Sequence, residues 1–473
     1  MQKGVVDFIT LGCSKNLVDA ERVMRQLEAA GWTCVHDPEE PKGEVCVINT
    51  CGFIGDAKEE SINMILQMAE RKKKGKLRKL IVMGCLSERY RAELEAEMPE
   101  VDEYFGKFDF LKIVESLKLN VERSSRVESC KWIERKLTTP KHYAYVKISE
   151  GCNRMCSYCA IPLITGRHTS RPMEEILDEV RWLVKQGVKE INVIAQDLSS
   201  YGLDLVDGHS SLVDSRSSLV DSSKTSSVSH QRRHLLPELI DQMAQIEGVE
   251  WIRLHYAYPT DFPEGLLDVM SKHKNVCKYL DIALQHCTDH MLGLMRRHIT
   301  RAEQDALIHK IRERVPGICI RTTLLVGHPG ETEEDFEELK SWVKEMRFER
   351  MGCFAYSDEE GTYANKHYKD DIPQEVKERR VEELMAIQQG ISGELMQRLV
   401  GTVQRVVIDR KEGEYFIGRT QFDSPEVDCE VLIEKLRVES LELKEVEELK
   451  VGEFYNVKIT KAEEFDLYGE IER

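Results

Sequence analysis

The sequence predicts an α/β protein in three parts: an N-terminal α/β domain with a parallel sheet, a central partial (β/α)6 barrel and a small C-terminal β-barrel. Three observations support this class. Apolar runs alternate with amphipathic helices over the first 130 residues, the alternation resumes near residue 138, and short alternating strands follow Gly401. The predicted divisions are 1–130 for the first domain, 138–375 for the barrel, 376–400 for a linking helix and 401–473 for the last domain.

Three short apolar runs in the first domain predict parallel strands. They are Val5–Thr10, Glu44–Asn49 and Leu80–Met83. Amphipathic helices are predicted between them, over Leu17–Ala30 and Asp56–Lys74. Because strands joined by helices pair in parallel, we expect their carboxyl ends to share one edge of the sheet.

Six further apolar runs predict the strands of the central barrel, which is partial because a full barrel needs eight. They are Tyr143–Ile148, Glu190–Ala195, Trp251–Leu254, Tyr279–Ala283, Ile318–Leu325 and Met351–Phe354. A serine-rich insert at 207–234 interrupts them and lacks apolar periodicity. It predicts a disordered loop, with a regulatory or docking loop as the alternative.

The end of the chain changes character. A long helix is predicted over Gln374–Arg398. Short strands are then predicted at Thr402–Asp409, Tyr415–Thr420, Glu430–Ile433 and Tyr455–Thr460. This pattern favours a small β-barrel.

The charge balance and the cysteine content limit the function. A net charge of −17 disfavours a phosphate backbone as partner and favours a basic protein. No run of about 18 apolar residues occurs, and the first residues contain no apolar leader, so we expect a cytoplasmic protein without a membrane span. Fourteen cysteines in such a chain indicate reduced thiols and metal ligation rather than disulfides.

Cys152, Cys156 and Cys159 form a C-x3-C-x2-C motif directly after a predicted barrel strand. Three thiolates can bind three corners of a [4Fe-4S] cluster and leave the fourth iron open. That iron can chelate an amine and a carboxylate, which the methionine end of S-adenosylmethionine supplies. The alternatives are a zinc site, with His168 as a conceivable fourth ligand, or three unrelated core cysteines. The position after a barrel strand, where active sites form, favours the cluster.

Cys13, Cys51 and Cys85 form a second trio, far apart in the sequence. Each follows or ends a predicted parallel strand, and each has a neighbouring glycine. The trio can therefore converge at one sheet edge, where glycines let the backbone approach a bulky cluster. Three packed thiols are the alternative. We interpret the remaining cysteines as packed core thiols: Cys34, Cys46, Cys130, Cys277, Cys287, Cys319, Cys353 and Cys429.

The segment around Cys152 resembles the radical S-adenosylmethionine superfamily. The resemblance implies that a reduced cluster cleaves the sulfonium and yields a deoxyadenosyl radical. It also suggests contacts to the cofactor, for each of which an ordinary structural role is the alternative. Tyr158 would lie against the adenine, and the other candidates are Gln196, Asp197, Gly327, Glu331, Arg167 and Arg171.

Three sequence segments resemble the methylthiotransferase family. The resemblance extends over nearly the whole chain apart from the insert. The segments are Leu11-Gly12-Cys13-Ser14-Lys15-Asn16, Asn49-Thr50-Cys51-Gly52 and Met83-Gly84-Cys85-Leu86. The resemblance implies a second cluster on the N-terminal domain and a C-terminal TRAM domain. Ala195-Gln196-Asp197 and Ser424-Pro425-Glu426-Val427-Asp428 favour the branch that modifies ribosomal protein S-twelve. Three residues depart from that branch's usual pattern: Ala283, His328 and Cys429.

The family resemblance implies an enzyme with two [4Fe-4S] clusters that adds a methylthio group to the β-carbon of an aspartate. One S-adenosylmethionine would methylate a sulfur at the N-terminal cluster, and a second would supply the radical. The expected partners are ribosomal protein S-twelve, an electron donor such as a flavodoxin or ferredoxin, and a sulfur source, with no direct tRNA substrate. The alternatives are a tRNA methylthiotransferase acting on a modified adenosine and a non-enzymatic module that binds RNA or ribosomes.

Overall fold

The computed structural model describes residues 4–117, 134–207, 234–434 and 449–472. Two parallel sheets and a closed barrel follow one another in these ranges, which confirms the predicted fold class. The serine-rich insert predicted at 207–234 lies outside the described residues, apart from its two ends. Within the described ranges, every helix is too short or too polar to pass through a lipid bilayer.

The first sheet has five parallel strands covered by helices on both faces. The strands are β1 (Val5–Thr10), β2 (Thr33–His36), β3 (Val45–Thr50), β4 (Lys79–Gly84) and β5 (Glu103–Tyr104), in the order β2-β1-β3-β4-β5. The helices are α1 (Ser14–Ala29), α2 (Gly55–Lys73), α3 (Cys85–Glu97) and α4 (Phe110–Ser116). α1 and α4 pack on one face, and α2 and α3 pack on the other, so the central strand β3 is buried along its whole length.

The second sheet has six parallel strands and forms the predicted partial barrel. They are β6 (Tyr143–Lys147), β9 (Glu190–Ile194), β10 (Trp251–Ala257), β11 (Val276–Ile282), β12 (Cys319–Val326) and β13 (Arg350–Ala355), hydrogen-bonded in chain order. Between β6 and β9 lies a small antiparallel pair, β7 (Ser149–Glu150) and β8 (Thr169–Ser170). In the described structure β6 and β13 are the two edges of this sheet, so the barrel is open on one side.

Short helices lie in the connections of the partial barrel: α5 (Ile161–Thr165), α7 (Leu203–Asp207), α10 (Asp289–Leu294) and α13 (Tyr363–His367). The helices that pack on the sheet and enclose the largest apolar core are α6 (Met173–Lys185), α8 (Leu236–Ala244), α9 (Gly265–Lys272), α11 (Arg301–Arg314) and α12 (Glu333–Met346). The linking helix α14 (Gln374–Gln397) packs against β13 and α12.

The C-terminal strands close into a small barrel, as predicted. They are β14 (Val403–Glu412), β15 (Tyr415–Thr420), β16 (Glu430–Glu434), β17 (Phe454–Ala462) and β18 (Asp466–Ile471), in the order β14-β15-β16-β18-β17. Closure leaves no free edge among these five described strands.

A segment of the C-terminal barrel, residues 419–428, enters the amino-terminal end of the partial barrel, and we call it the plug. The plug contacts one side chain from each of the six strands: Tyr143 through Glu426, Glu190 through Arg419, Arg253 through the Gln421 carbonyl, Tyr279 and Arg321 through Asp428, and Arg350 through Asp423. The amino-terminal end of the barrel is therefore closed by polar contacts. The opposite end, which carries Cys152, is the end at which an active site can form.

Candidate active site

Cys152, Cys156 and Cys159 lie on one loop between β7 and α5. The Cys152 amide donates to the Gly166 carbonyl at 3.2 Å, and the Cys159 amide donates to the Cys156 carbonyl at 3.1 Å. Gly151 before the loop has φ +78°, and a Cβ there would stand 2.1 Å from the Arg167 carbonyl oxygen. Only glycine can make this approach, which folds the loop back on itself.

A buried arginine faces this loop from more than 130 residues away. The Arg297 guanidinium donates to the Cys156 sulfur at 3.4 Å and to the Tyr158 hydroxyl at 3.3 Å. Its central carbon lies 4.0 Å from the centre of the Tyr258 ring, and the Tyr258 hydroxyl is 3.4 Å from the same sulfur. Hydrogen bonds to cluster sulfurs tune reduction potential, so these two residues are suited to adjust a bound cluster.

Burial raises the pKa of Cys152 to about 12, and burial with the neighbouring Cys156 also raises the pKa of Cys159. Both groups are therefore neutral thiols at pH 7 without a metal. Because iron binds thiolates, loading a cluster at this loop must release protons.

The second trio stands on three loops that touch in series at the carboxyl edge of the first sheet. Cys13 precedes α1, Cys51 follows β3, and Cys85 begins α3. A Cβ at Gly12 would lie 2.8 Å from the Cys51 Cβ, and one at Gly52 would lie 2.9 Å from the Cys85 carbonyl carbon. The neighbouring glycines therefore bring the three cysteine loops into contact.

The second trio has a different electrostatic setting from the first. Burial raises the pKa of Cys85 to about 12 and also raises the pKa of Cys51. Desolvation raises the pKa of the Cys13 thiol too, but Lys15, Lys107 and nearby amides outweigh it, so this pKa is lowered. Cationic side chains thus favour thiolate, the form that binds iron, at one corner of the trio.

The two trios suit a cluster by their donor chemistry and their spacing. In the part of the chain that the structure describes, no three histidine, cysteine, aspartate or glutamate side chains are close enough to hold a single metal ion. A cubane needs a wider arrangement, because each thiolate binds its own iron. Thiol donors on glycine-lined loops therefore fit a [4Fe-4S] group at each trio.

The two trios meet at the contact between the first domain and the partial barrel, which we call the seam. Cys85 packs with Ala160 and Ile164 in one apolar cluster, and Ala160 directly follows Cys159. Cys85 of the dispersed trio therefore packs against the residue that directly follows the local C-x3-C-x2-C motif.

A buried chain of alternating charges crosses the seam. Lys107 bonds to Glu150 at 2.9 Å, Glu150 bonds to Lys147 at 2.7 Å, and Lys147 bonds to Asp19. The Lys107 amide also donates to Glu88, three residues after Cys85, at 2.8 Å. Since Glu150 stands two residues before Cys152, Lys107 connects the loops of the two trios.

The residues predicted to contact S-adenosylmethionine lie at the carboxyl end of the partial barrel, and the structure gives several of them protein partners. Gln196 donates to Glu150, and Asp197 accepts from Arg154 at 2.6 Å. The buried atoms Gln196 Oε1 and Asp197 Oδ1 have no hydrogen-bond partner among the residues that the structure describes. Glu331 is bonded to Arg380 at 2.5 Å and to His286 at 3.2 Å.

Four further candidates are placed as follows. Tyr158 packs in an apolar cluster that includes Met291 and Leu325. Gly327 has φ +73°, and its amide donates to Glu331. Arg171 bonds to Glu179 at 2.7 Å, which favours the structural alternative for that arginine, whereas Arg167 is exposed. The assignment of these residues to the cofactor stays a prediction.

Sequence reasoning did not identify Lys107, Glu150 and Arg297 as site residues. Glu150 stands in the phrase that leads into Cys152, so the motif itself held a signal for it. Lys107 and Arg297 gain their positions only through contacts that are distant in sequence. Seven cysteines interpreted as packed core thiols are buried, and Cys130 lies outside the described residues.

Comparison with known proteins matches each part of the chain to a family model. Residues 5–106 match the uncharacterized protein family UPF0004, residues 146–343 match the radical SAM superfamily, and residues 400–471 match the TRAM domain. The chain is also 10% identical to the cobalamin-dependent S-adenosylmethionine radical enzyme OxsB in a structure with bound aqua-cobalamin. That match has a TM-score of 0.50 and covers 80% of this chain and 56% of the other, so it bears on the fold alone.

Two relatives are similar over their full length. The protein from Phocaeicola vulgatus named ribosomal protein uS12 methylthiotransferase RimO is 58% identical, covering 100% of each chain. The protein of the same name from Bacteroides thetaiotaomicron is also 58% identical, covering 100% of this chain and 99% of the other.

Proposed function

The chain belongs to the RimO family of radical SAM methylthiotransferases, and on that premise we propose that it methylthiolates ribosomal protein S-twelve. The methylthio group would be added to the β-carbon of an aspartate in that protein. The observation that carries the proposal is the meeting of two cysteine trios at one seam, with Cys85 packed against Ala160. A reaction that joins a sulfur group to a carbon radical needs both sources beside one target.

Each trio would hold one [4Fe-4S] cluster: Cys152, Cys156 and Cys159 the first, and Cys13, Cys51 and Cys85 the second. When bound and reduced by the electron donor, the first cluster would supply, with S-adenosylmethionine, a radical able to take hydrogen from an unactivated carbon. The side chains proposed to hold the cofactor are Tyr158, Gln196, Asp197, Gly327 and Glu331. The unpartnered oxygens of Gln196 and Asp197 support this, since buried acceptors favour a bound donor.

The residues around the clusters would act by positioning and by excluding water. Arg297 would fix the positions of Cys156 and Tyr158, because its guanidinium donates hydrogen bonds to both side chains. The ion chain through Lys107, Glu150 and Lys147 fixes the first domain over the barrel mouth. A rigid seam would keep the distance between the sulfur source and the radical source constant while the substrate reacts.

The acidic surface supports a basic protein as partner. Residues 398–473 carry 12 Lys and Arg against 19 Asp and Glu, a net charge of −7. Such a domain attracts a basic ribosomal protein and repels RNA phosphates. We further propose a cytoplasmic location, a flavodoxin or ferredoxin as electron donor and a separate sulfur source, together with the domain divisions predicted from the sequence.

Mass spectrometry of a deletion strain tests the function. We expect the methylthio group to disappear from the aspartate of ribosomal protein S-twelve and to return when the gene is restored. Methylthioadenosine in the tRNA of the same strain should be unchanged. An intact methylthioaspartate together with missing methylthioadenosine would instead identify a tRNA-modifying enzyme and refute the proposal.

A further inference from the structure

Lys15 is a buried cation to which no carboxylate of the described residues bonds. It lies in the first turn of α1, two residues after Cys13, and is 7% exposed. Its ammonium stands 3.3 Å from the centre of the Tyr256 ring. Among the described residues, no hydrogen-bond acceptor or acidic side chain bonds to this ammonium.

The other buried lysines show how unusual this is. Lys107 bonds to Glu150, Lys147 bonds to Asp19 and Glu150, and Lys377 bonds to Asp370 at 2.6 Å. Desolvating an ammonium is costly unless an anion is close, and a cation–π contact offsets only part of that cost. Within the described ranges, the Lys15 ammonium therefore has no directly bonded anion of the kind that Lys107, Lys147 and Lys377 have.

The platform under Lys15 is itself strained. Tyr256 lies in strand β10, yet its φ of +65° is in the left-handed region, and the residue is 37% exposed. Such backbone strain in a residue other than glycine is characteristic of functional sites. The nearby carboxylate of Asp281 is already engaged, since it accepts from the Tyr256 amide at 3.3 Å and pairs with Arg321 at 3.4 Å.

We infer that Lys15 binds the carboxylate of the aspartate that the enzyme modifies. The inference rests on the proposed function and adds the residue that selects the target side chain. Lys15 stands two residues after Cys13 and against the Tyr256 ring. The hydroxyl of Tyr258, two residues further along the chain, lies 3.4 Å from the Cys156 sulfur, so Lys15 is linked to the loops of both trios. The β-carbon is bonded directly to the carboxylate carbon, and holding one therefore places the other. The N-terminus of α1 adds a favourable field for an anion.

Peptide binding to the wild-type holoenzyme is the first test. Fluorescence anisotropy without reductant compares a peptide around the target aspartate with the same peptide carrying asparagine there. We expect the asparagine peptide to bind at least about 30-fold more weakly, as for loss of one partner of a buried charge pair. Equal binding of the two peptides would overturn the inference, whatever any variant does.

The variant Lys15→Met is the second test, with Lys15→Arg as the conservative rescue. Lys15→Met should bind both peptides equally, at the level of the asparagine peptide, and should keep its affinity for S-adenosylmethionine. Lys15→Arg should recover a preference for aspartate. The matched control is Lys340→Met, which removes a lysine paired with Glu383 at 2.7 Å in α12 and should keep the full preference.

Two outcomes of the second test would contradict the inference. Lys15→Met could keep the 30-fold preference for aspartate, or it could weaken S-adenosylmethionine instead of the peptide. A failure of the proposed function would give a different result. The wild-type enzyme would then neither bind the aspartate peptide nor form methylthioaspartate, and the inference about Lys15 would be refuted as well.

Discussion

The loops of the two cysteine trios are brought together by opposite routes. Cys152, Cys156 and Cys159 stand on one loop, so their proximity follows from a span of eight residues. Cys13, Cys51 and Cys85 stand on three loops, and only the parallel register of β1, β3 and β4 brings them together. The first trio depends on local turns, whereas the second depends on the packing of an entire sheet.

The difference also appears in the surroundings of each trio. The local trio recruits Arg297 and Tyr258, which approach the Cys156 sulfur from distant parts of the barrel. In the dispersed trio, the cations Lys15 and Lys107 lower the pKa of Cys13, and Cys85 packs against the loop of the local trio. The second site therefore lies against the seam, and its integrity should respond to changes at the seam.

The largest expected effect separates the two trios by function. Cys156→Ala should reduce cleavage of S-adenosylmethionine to background, because the local trio would hold the radical-generating cluster. Cys51→Ala should keep that cleavage and lose methylthiolation. Deoxyadenosine release under reductant and mass spectrometry of the peptide product measure the two steps.

Cys353→Ala is the matched control, because Cys353 is a buried core thiol far from both loops in the sequence. It should keep both activities at a stability cost of about 1 kcal/mol. If Cys51→Ala abolished cleavage, or if Cys156→Ala retained it, the division of roles between the trios would be wrong.

The next largest effect concerns the seam. Glu150→Gln leaves Lys107 and Lys147 without their shared carboxylate and should lower the free energy of unfolding by about 3–5 kcal/mol. Anaerobic chemical denaturation measures it. The exposed substitution Glu59→Gln should stay within about 0.5 kcal/mol of wild type. Equal stability of the two variants would show that the ion chain does not hold the seam.

The pH dependence tests a second ion cluster at the seam, around Glu179. Burial raises the pKa of this carboxyl, but Arg171, Arg135 and Arg22 outweigh it and lower the pKa to about 2. Because the folded value lies below the ordinary 4.5, the stabilisation is complete above pH 4.5 and is lost as the pH falls toward 2. About 3 kcal/mol should disappear over that window.

Glu179→Gln should flatten the acid limb of the stability curve measured by denaturation from pH 5 downward. The informative quantity is the slope of the free energy of unfolding against pH. The substitution also removes the carboxylate that three arginines share, so it lowers stability at every pH. An acid limb as steep as that of the wild type would exclude Glu179 as its source.

The smallest effect is expected at the plug, where neither trio lies. Tyr143→Phe removes a hydrogen bond of 2.9 Å to the exposed Glu426 and should cost about 0.5–1 kcal/mol. Tyr468→Phe keeps its ring and should cost nothing measurable. Neither variant should change iron content, and a loss of iron from Tyr143→Phe would show that the plug supports the clusters.

Much of the fold could be predicted because apolar periodicity marks buried strands strongly. β1 and β15 begin and end where the sequence predicts. β2, β5 and β18 were not predicted, for physical reasons. β2 is an edge strand with one buried residue, Cys34, and β5 has two residues. β18 joins the barrel through a parallel pairing with β16, and no local sequence pattern indicates such a long-range pairing.

The site was predictable where one loop or one sheet edge carries it. The spacing of Cys152, Cys156 and Cys159 is local, and the second trio follows from three strand ends. Lys15 lies within the segment Leu11-Gly12-Cys13-Ser14-Lys15-Asn16. Only the folded structure shows that its ammonium lies against the Tyr256 ring and that no described carboxylate bonds to it. Arg297 meets Cys156 across 141 positions, which no spacing rule reaches.

Iron analysis of protein purified without air tests the central claim most directly. If each trio holds one [4Fe-4S] cluster, wild type should contain about eight irons per chain. Cys51→Ala and Cys156→Ala should each retain about four, and the double variant should retain almost none. About four irons in wild type, or a count that Cys51→Ala leaves unchanged, would contradict the two-cluster account.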